Sequence, residues 1–262
     1  MEIEKEREKI GKFIKAGILG MSFVLAVGCG MLFLPKAVRT FMPKKEEIEL
    51  PIQSVECSDK KIALTFNISG KNDDINDILK VLSTHRIQGT FFVTGAWAEQ
   101  YKEDLKAIQK EGHDIGNFTA QHKQMKQLDE KQCSKEIQSA HNKVKELTGI
   151  QMQLFRAPYN EYNKTILEAA EELGYYPIAW NIDSEDWKNY GVDAMIDQIC
   201  NHPNLGNGAI ICCHNGTKFT VKALDTVIAA IQKKGYQFVR VSDFMYYDNY
   251  KIDKNGRQQK VF

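Results

Sequence analysis

From about residue 60 onwards, short apolar segments typical of β-strands alternate with segments whose apolar residues recur every three or four positions. The strand patterns cover residues 62–66, 90–94, 154–156, 176–181, 208–213 and 237–241. Sustained alternation predicts parallel strands joined by helices. About seven such repeats favour a barrel over a doubly wound open sheet, which remains the alternative.

The helical patterns between these strands show one apolar stripe each. The clearest covers residues 129–147, where Cys133, Ile137, Ala140, Val144 and Leu147 are spaced by three or four. Further helical patterns cover residues 164–173, 192–201 and 221–233. Such stripes indicate helices that pack on a sheet with one face.

An uncharged apolar run from Ala16 to Leu34 precedes the alternating region. Its 19 residues would span ~28 Å as a helix, about the hydrocarbon thickness of a bilayer. We predict a single transmembrane anchor over residues 16–35, with a cleaved signal peptide as the alternative. Lys and Arg occur on both sides of the run, so charge alone does not decide its orientation.

The remaining organisation follows from composition. Residues 1–15 form a short polar N-terminus, residues 36–59 with Pro43 and Pro51 suit a linker, residues 60–246 form the folded domain, and residues 247–262 read as a charged, frayed tail. Lys and Arg total 35 against 34 Asp and Glu, a net charge of +1. This balance offers no electrostatic basis for binding nucleic acid.

Four strand patterns run into polar clusters. These are Asn67 after residues 62–66, residues 156–159 (Arg-Ala-Pro-Tyr), residues 183–187 (Asp-Ser-Glu-Asp-Trp), and His214 after residues 208–213. Because the carboxyl ends of barrel strands meet at one mouth, these clusters are expected to face each other. The mouth is therefore the candidate functional site.

Five ordered segments carry a resemblance. They are residues 61–69 (Lys-Ile-Ala-Leu-Thr-Phe-Asn-Ile-Ser), 112–122 (Gly-His-Asp-Ile-Gly-Asn-Phe-Thr-Ala-Gln-His), 156–159, 183–187, and Cys213-His214. Together they resemble the polysaccharide deacetylases with a NodB homology domain, carbohydrate esterase family four, and look most like their spore-associated, PdaB-type branch. The resemblance implies an incomplete (β/α)₇ barrel and metal-dependent removal of acetyl groups from N-acetylated sugars of peptidoglycan or chitin.

The resemblance also implies roles for residues downstream of the first strand. Arg156 matches the residue that orients the base, Tyr159 the one that helps bind the oxyanion, Asp183 the carboxylate that tunes the acid, and His214 the general acid. Asp186 and Trp187 are expected to bind substrate. His113 matches a structural position, and Trp97 is expected to pack in the core.

The same resemblance fails at the base and metal positions. The family's base and first ligand are carboxylates, whereas this chain has Asn67 and Ile68. Of the two family histidine ligands only His122 matches, because Phe118 takes the other position. A catalytic zinc normally has three protein ligands, so no cofactor is expected. Zinc or another divalent metal would require a rebuilt site, for which Asp73, Asp74, Cys213 and His214 are the candidates beside His122.

These observations predict a membrane-anchored, extracytoplasmic domain that binds a cell-wall glycan and is impaired as a hydrolase. One alternative is an active deacetylase with an altered metal site or chemistry centred on His214. Another is a scaffold in the spore or cell envelope. In simpler interpretations, His122 is a solvated loop residue, and Arg156 and Asp183 belong to an ion-pair network at the rim.

Overall fold

The structure is a computed structural model that describes residues 50–71 and 74–261. The strands are β1 (Ser54–Val55), β2 (Lys61–Ile68), β3 (Thr90–Val93), β4 (Asp114–Asn117), β5 (Leu154–Phe155), β6 (Tyr176–Pro177), β7 (Ile182–Asp183), β8 (Ile210–His214), β9 (Gln237–Phe238), β10 (Tyr250–Ile252) and β11 (Arg257–Lys260). The α-helices are α1 (Ile75–Thr84), α2 (Gly95–Gln100), α3 (Lys102–Lys110), α4 (Glu130–Thr148), α5 (Lys164–Glu172), α6 (Val192–Cys200) and α7 (Thr220–Lys233). The predicted α/β alternation is confirmed.

Seven strands form a parallel sheet in the order β6-β5-β4-β3-β2-β8-β7, and β9 adds a short pairing to β2. The edge strands β6 and β7 are separated in sequence by residues 178–181 alone. The five steps from Pro177 to Ile182 span at most about 18 Å, so the two edges must lie close together. The sheet is therefore curled into a half-barrel, as the predicted incomplete barrel requires.

The central strand β2 is buried from Ile62 to Ile68, because helices cover a parallel sheet on one face and barrel contents on the other. Its register places Asn67 beside Phe92 of β3 and His214 of β8. The strand that forms the core thus also carries the first residue of the mouth.

Helix α4, which covers the longest predicted helical pattern, has a clear capping signal at each end. Asp129 and Gln132 form a reciprocal capping box at its start, and Gly149 ends it with a left-handed φ of 75°. Its buried positions include Cys133, Ile137 and Val144, three residues of the predicted stripe.

Both predicted boundaries of the folded domain are wrong. Within the linker predicted over 36–59, Ile52 and Val55 are fully buried and β1 is part of a sheet. The tail predicted over 247–262 forms an antiparallel hairpin of β10 and β11, and β11 pairs in parallel with β1. Polar residues build this sheet, as shown by fully buried Gln258, so no apolar alternation marked it.

A close backbone approach joins β1 to the barrel. Gly208 has a φ of 81°, and a Cβ added there would lie 1.6 Å from the carbonyl oxygen of Val55. Its backbone nitrogen donates to Lys61, and its carbonyl accepts from Val55 at 2.9 Å. Only glycine fits both the conformation and the space.

The predicted anchor over residues 16–35, the linker up to residue 49, and Asp73 lie outside the described residues. Across 50–71 and 74–261, the helices are too short or too polar for any of them to span a bilayer.

Candidate functional site

Asn67 and His214 lie side by side at the carboxyl ends of β2 and β8, as the strand-end argument predicted. Asn67 Nδ2 is 3.2 Å from His214 Nε2. Asn67 is buried, whereas the His214 side chain is 27% exposed and so reaches the mouth.

The other face of His214 is held by Asp186. Its Oδ1 is 2.8 Å from His214 Nδ1, and its Oδ2 accepts from the His214 backbone nitrogen at 2.8 Å and from Thr220 Oγ1 at 2.6 Å. Burial alone would raise the pKa of Asp186, but the hydrogen bonds and charge of His214 and the bond from Thr220 outweigh it and lower that pKa. We call Asp186, His214 and Thr220 the acid half of the mouth.

Asp183 was predicted to tune His214, and the geometry corrects this assignment. Asp183 Oδ2 accepts from Trp180 Nε1 at 3.2 Å, and its Oδ1 accepts from the Glu185 backbone nitrogen at 2.8 Å. The chain then turns through Glu185, whose φ is 54°, and this turn brings Asp186 back to His214. Asp186 was predicted to contact substrate, but it is 3% exposed and lies behind the imidazole.

Arg156 is fully buried at the end of β5. Its Nη1 donates to Asn67 Oδ1 at 2.9 Å and to Thr65 Oγ1 at 2.9 Å, while Nε and Nη2 donate to the carbonyls of Ile178 and Ala179. Its guanidinium lies 3.9 Å from the Phe92 ring centroid. Burial lowers the pKa of Arg156. A buried cation is thus held by neutral partners at the place where the resemblance implies a carboxylate.

Ile68, Phe118 and His122 take the three positions at which the resemblance implies metal ligands, and we call them the apolar half of the mouth. Ile68 is fully buried and Phe118 is 2% exposed. The His122 ring lies 4.7 Å from the Phe118 ring and 4.7 Å from the Tyr159 ring, measured between centroids. Burial, followed by the charge of His214, lowers the pKa of His122. The His122 ring therefore packs between the rings of Phe118 and Tyr159.

A divalent metal does not fit this donor set. Among residues 50–71 and 74–261 there is no group of three or more His, Cys, Asp or Glu that could hold a metal ion. Of the candidate substitutes, Cys213 is buried and its pKa is raised by burial, while Asp74 Oδ2 accepts from the Gly216 backbone nitrogen at 2.8 Å. Neither one joins His122 in a cluster.

Two exposed aromatic residues stand at the rim. Tyr159 is 58% exposed and has a left-handed φ of 59°, and Trp187 is 56% exposed on the short turn that carries Asp186. A groove of about 700 Å³ runs beside Trp187 and is lined by Asp74, Trp187, Asn189, Gly216, Thr217 and Lys218.

Two predicted non-catalytic residues lie as expected. Trp97 is 2% exposed and packs against Tyr101. His113 precedes β4, at the end of the barrel opposite the mouth, and its Nδ1 accepts from the Gly89 backbone nitrogen at 3.0 Å. Burial lowers the pKa of His113 to about 4.

The sequence reasoning missed two polar residues that complete the site. Thr65, which supports Arg156, lies two positions before Asn67 on the same face of β2, so strand periodicity could have revealed it. Thr220 supports Asp186 from the start of α7. No sequence signal linked that helix to residue 186.

Comparison with known proteins gives a consistent match. A family model described as polysaccharide deacetylase matches residues 54–178. The peptidoglycan-N-acetylmuramic acid deacetylase PdaA of Bacillus subtilis is 33% identical over 196 residues, which cover 72% of each chain.

Two solved structures share the fold. The peptidoglycan N-acetylglucosamine deacetylase Bc1960 is 28% identical with a TM-score of 0.70 over 73% of this chain and 91% of that chain. BA3943 from Bacillus anthracis, titled a CE4 family pseudoenzyme, is 24% identical with a TM-score of 0.71 over 81% of this chain and 71% of that chain.

Proposed function

Because the chain belongs to the polysaccharide deacetylase family, we propose that its mouth binds an N-acetylated cell-wall glycan but is impaired in hydrolysing it. The relatives named above act on peptidoglycan sugars according to their names. The groove beside exposed Trp187 supports a sugar ligand here, since an aromatic face can stack on a sugar ring.

The main support for impaired hydrolysis is the amide side chain at position 67, where the resemblance implies a general base. Asn67 Oδ1 is engaged by Arg156 and Nδ2 faces His214, and an amide accepts no proton at neutral pH. Losing a positioned general base typically removes 10²–10⁴ of rate, or about 3–5 kcal/mol of barrier. Ile68 and Phe118 add a second defect, because they replace two expected ligands with hydrocarbon.

The proposal extends to location. An anchor over residues 16–35 would hold the domain at the cell membrane with its mouth outside the cytoplasm, where peptidoglycan lies. A role in sporulation is the further expectation from the branch resemblance. Fractionation of cells expressing the full chain, with protease added outside, tests the location. Protection of the domain in intact cells would contradict it.

The decisive experiment measures acetate released from N-acetylglucosamine oligomers with several divalent metals. We expect no release above the His214→Ala variant from the unmodified chain. The triple variant Asn67→Asp, Ile68→Asp, Phe118→His restores the missing donors, and we expect zinc to raise both its thermal midpoint and its acetate release. Asn67→Asp alone is the matched control, because it supplies the base but not the two ligands missing at positions 68 and 118.

Metal-dependent release by the unmodified chain that disappears in His214→Ala would overturn impairment and favour the altered-site deacetylase. If no glycan protects the domain against thermal unfolding, the envelope-scaffold alternative gains weight.

A further inference from the structure

Residues 50–55, which precede the βα repeats, lie across the open seam of the barrel, and we call them the seam strap. Ile52 pairs in parallel with Ile178, just after the edge strand β6. Ser54 forms an antiparallel bridge with Ala209, just before β8, the neighbour of the other edge strand. The seam strap thus joins the two sides of the curled sheet.

The side chains of the seam strap fill part of the barrel interior. Ile52 and Val55 are fully buried and belong to the cluster that also contains Phe92 and Phe118. Phe118 is part of the apolar half, and the Phe92 ring lies against the Arg156 guanidinium. The interior that supports the mouth is therefore built in part by a segment from outside the repeats.

Hydrogen bonds connect Ile52 to Arg156 through a short piece of backbone. Ile52 donates its N–H to the Pro177 carbonyl at 2.9 Å, and its carbonyl accepts from the Ala179 nitrogen at 2.7 Å. The same piece of backbone presents the carbonyls of Ile178 and Ala179 to Arg156 Nε and Nη2, at 3.2 and 3.0 Å. Ile52 therefore fixes the backbone that carries two of the acceptors of a fully buried guanidinium.

The backbone that follows Ala179 leads directly to the rim. Trp180 Nε1 donates to Asp183 Oδ2 at 3.2 Å, and Asp183 Oδ1 accepts from the Glu185 nitrogen at 2.8 Å. The next residues form the short turn that carries exposed Trp187. The position of this turn is thus set by the segment that Ile52 holds at its start.

Residues 178–181 are held from a second side by β8. The Asn181 backbone nitrogen donates to the Ile210 carbonyl at 3.2 Å, and Asn181 Oδ1 accepts from the Ile210 nitrogen at 2.9 Å. The segment is clamped between β8 and the seam strap, so loosening the seam strap removes one side of the clamp. Supporting contacts of this kind decide how precisely a site is held.

We propose that Ile52 is a positioning residue of the mouth, which acts through residues 177–179 on Arg156 and on the turn that carries Trp187. Glycan binding then depends on the seam strap as well as on the residues of the mouth. Ile52 precedes residue 54, where the match to the family model begins. This inference rests on the proposed function, because it concerns the same glycan site.

Two matched truncations in the full chain test the proposal. Ile52→Ala and Ile231→Ala delete the same atoms from two fully buried positions, and Ile231 lies near the carboxyl end of α7 in a different cluster. In calorimetric titration with the tetramer of N-acetylglucosamine, we expect Ile52→Ala to bind at least about tenfold more weakly, a difference of about 1.4 kcal/mol. Ile231→Ala should stay within about twofold of the unmodified chain. Equal losses in the two variants, or no loss in Ile52→Ala, overturn the proposal.

Hydrogen exchange of the Arg156 Nε–H gives a second readout that needs no ligand. This N–H is buried and donates to the Ile178 carbonyl, so it exchanges only when its surroundings open. By nitrogen-15 NMR, we expect exchange at least about tenfold faster in Ile52→Ala and a smaller acceleration, of about twofold, in Ile231→Ala. A similar acceleration in both variants is the mark of a general loss of stability and contradicts positioning by Ile52.

The two readouts separate this inference from the proposed function. If the unmodified chain binds no tetramer, the proposed glycan binding fails, and the exchange of the Arg156 N–H still decides whether Ile52 positions that residue. If the chain binds the tetramer and Ile52→Ala changes neither readout, glycan binding stands and the positioning role fails. Should Ile52→Ala not fold, the pair Ile52→Val and Ile231→Val removes a single carbon at each position. We then expect about threefold changes in Ile52→Val alone, and equal changes in the pair overturn the proposal.

Discussion

The acid half and the apolar half of the mouth lie at the same end of the barrel but are built in opposite ways. In the acid half, each polar atom of Asp186 has a named partner and the carboxylate is ionised. In the apolar half, Ile68 and Phe118 are buried hydrocarbon, with His122 against the Phe118 ring. The first half depends on hydrogen-bond partners and the second on packing.

The difference shows two ways in which the mouth of one barrel can be stabilised. Replacing buried polar groups by apolar side chains of suitable size is often neutral or stabilising, whereas removing one partner of a buried polar pair is costly. The apolar half is buried hydrocarbon of this first kind. The acid half keeps its complete set of partners.

The largest expected effect tests whether the apolar half is a packed plug. Phe118→Ala should lower the free energy of unfolding by about 4 kcal/mol, because Phe118 belongs to a buried cluster with Phe92 and Leu154. Phe118→Leu nearly conserves volume and should cost about 1 kcal/mol. Urea denaturation measures both. A small, equal loss in the two variants would show that this half is loosely packed.

The second largest effect is expected in the acid half. Asp186→Ala removes the acceptor of the Nδ1 and backbone donors of His214, whereas Thr220 retains its hydrogen bond with Thr217, so we expect a loss of about 3 kcal/mol in the free energy of unfolding. Asp183→Ala is the matched control, with an expected loss of about 1 kcal/mol, because it removes two hydrogen bonds from a half-buried residue. A larger loss at Asp183 would restore the original assignment of the tuning carboxylate.

A smaller effect should appear with pH. The pKa of Asp186 is lower in the folded state than its unfolded value of about 3.9. Its contribution to stability is therefore complete above that value and is lost as the pH falls through the folded pKa. The difference in unfolding free energy between the unmodified chain and Asp186→Asn should be constant above about pH 5 and shrink below about pH 4. A pH-independent difference would contradict an ionised Asp186.

The smallest effect concerns the rim that both halves share. Trp187→Ala should weaken binding of the tetramer of N-acetylglucosamine by about 1 kcal/mol, roughly fivefold, because stacking on the sugar ring is lost. The free energy of unfolding should be unchanged, because the side chain is 56% exposed. Tyr190→Ala, 72% exposed and outside the groove lining, is the control. Equal losses of affinity in the two variants would move the sugar away from Trp187.

The sequence predicted the barrel and the meeting of Asn67, Arg156 and His214, because parallel strands place their carboxyl ends at one mouth whatever their loops do. The partner of His214 was missed for a related reason. Strand periodicity stops at Asp183, and the position of Asp186 depends on a turn with Glu185 at positive φ. A non-glycine residue in that conformation leaves no pattern in the sequence.

The hairpin of β10 and β11 escaped prediction because its order comes from polar contacts. Buried Gln258 donates to the Tyr246 carbonyl at 2.6 Å and accepts from the Tyr246 nitrogen at 2.9 Å. Asp253 organises the turn by accepting from the backbone nitrogens of Asn255 and Arg257. Hydrophobic periodicity, the main signal for strands, is absent from such a segment.

The buried guanidinium of Arg156, whose hydrogen-bond partners named above are neutral, has a consequence for the evolution of this barrel. Active centres usually trade stability for reactivity, so that mutations which repair an enzyme tend to weaken its fold. Position 67 reverses that relation, since one carboxylate would both compensate an interior cation and supply a proton acceptor. A carboxylate at position 67 would therefore serve stability and proton transfer together.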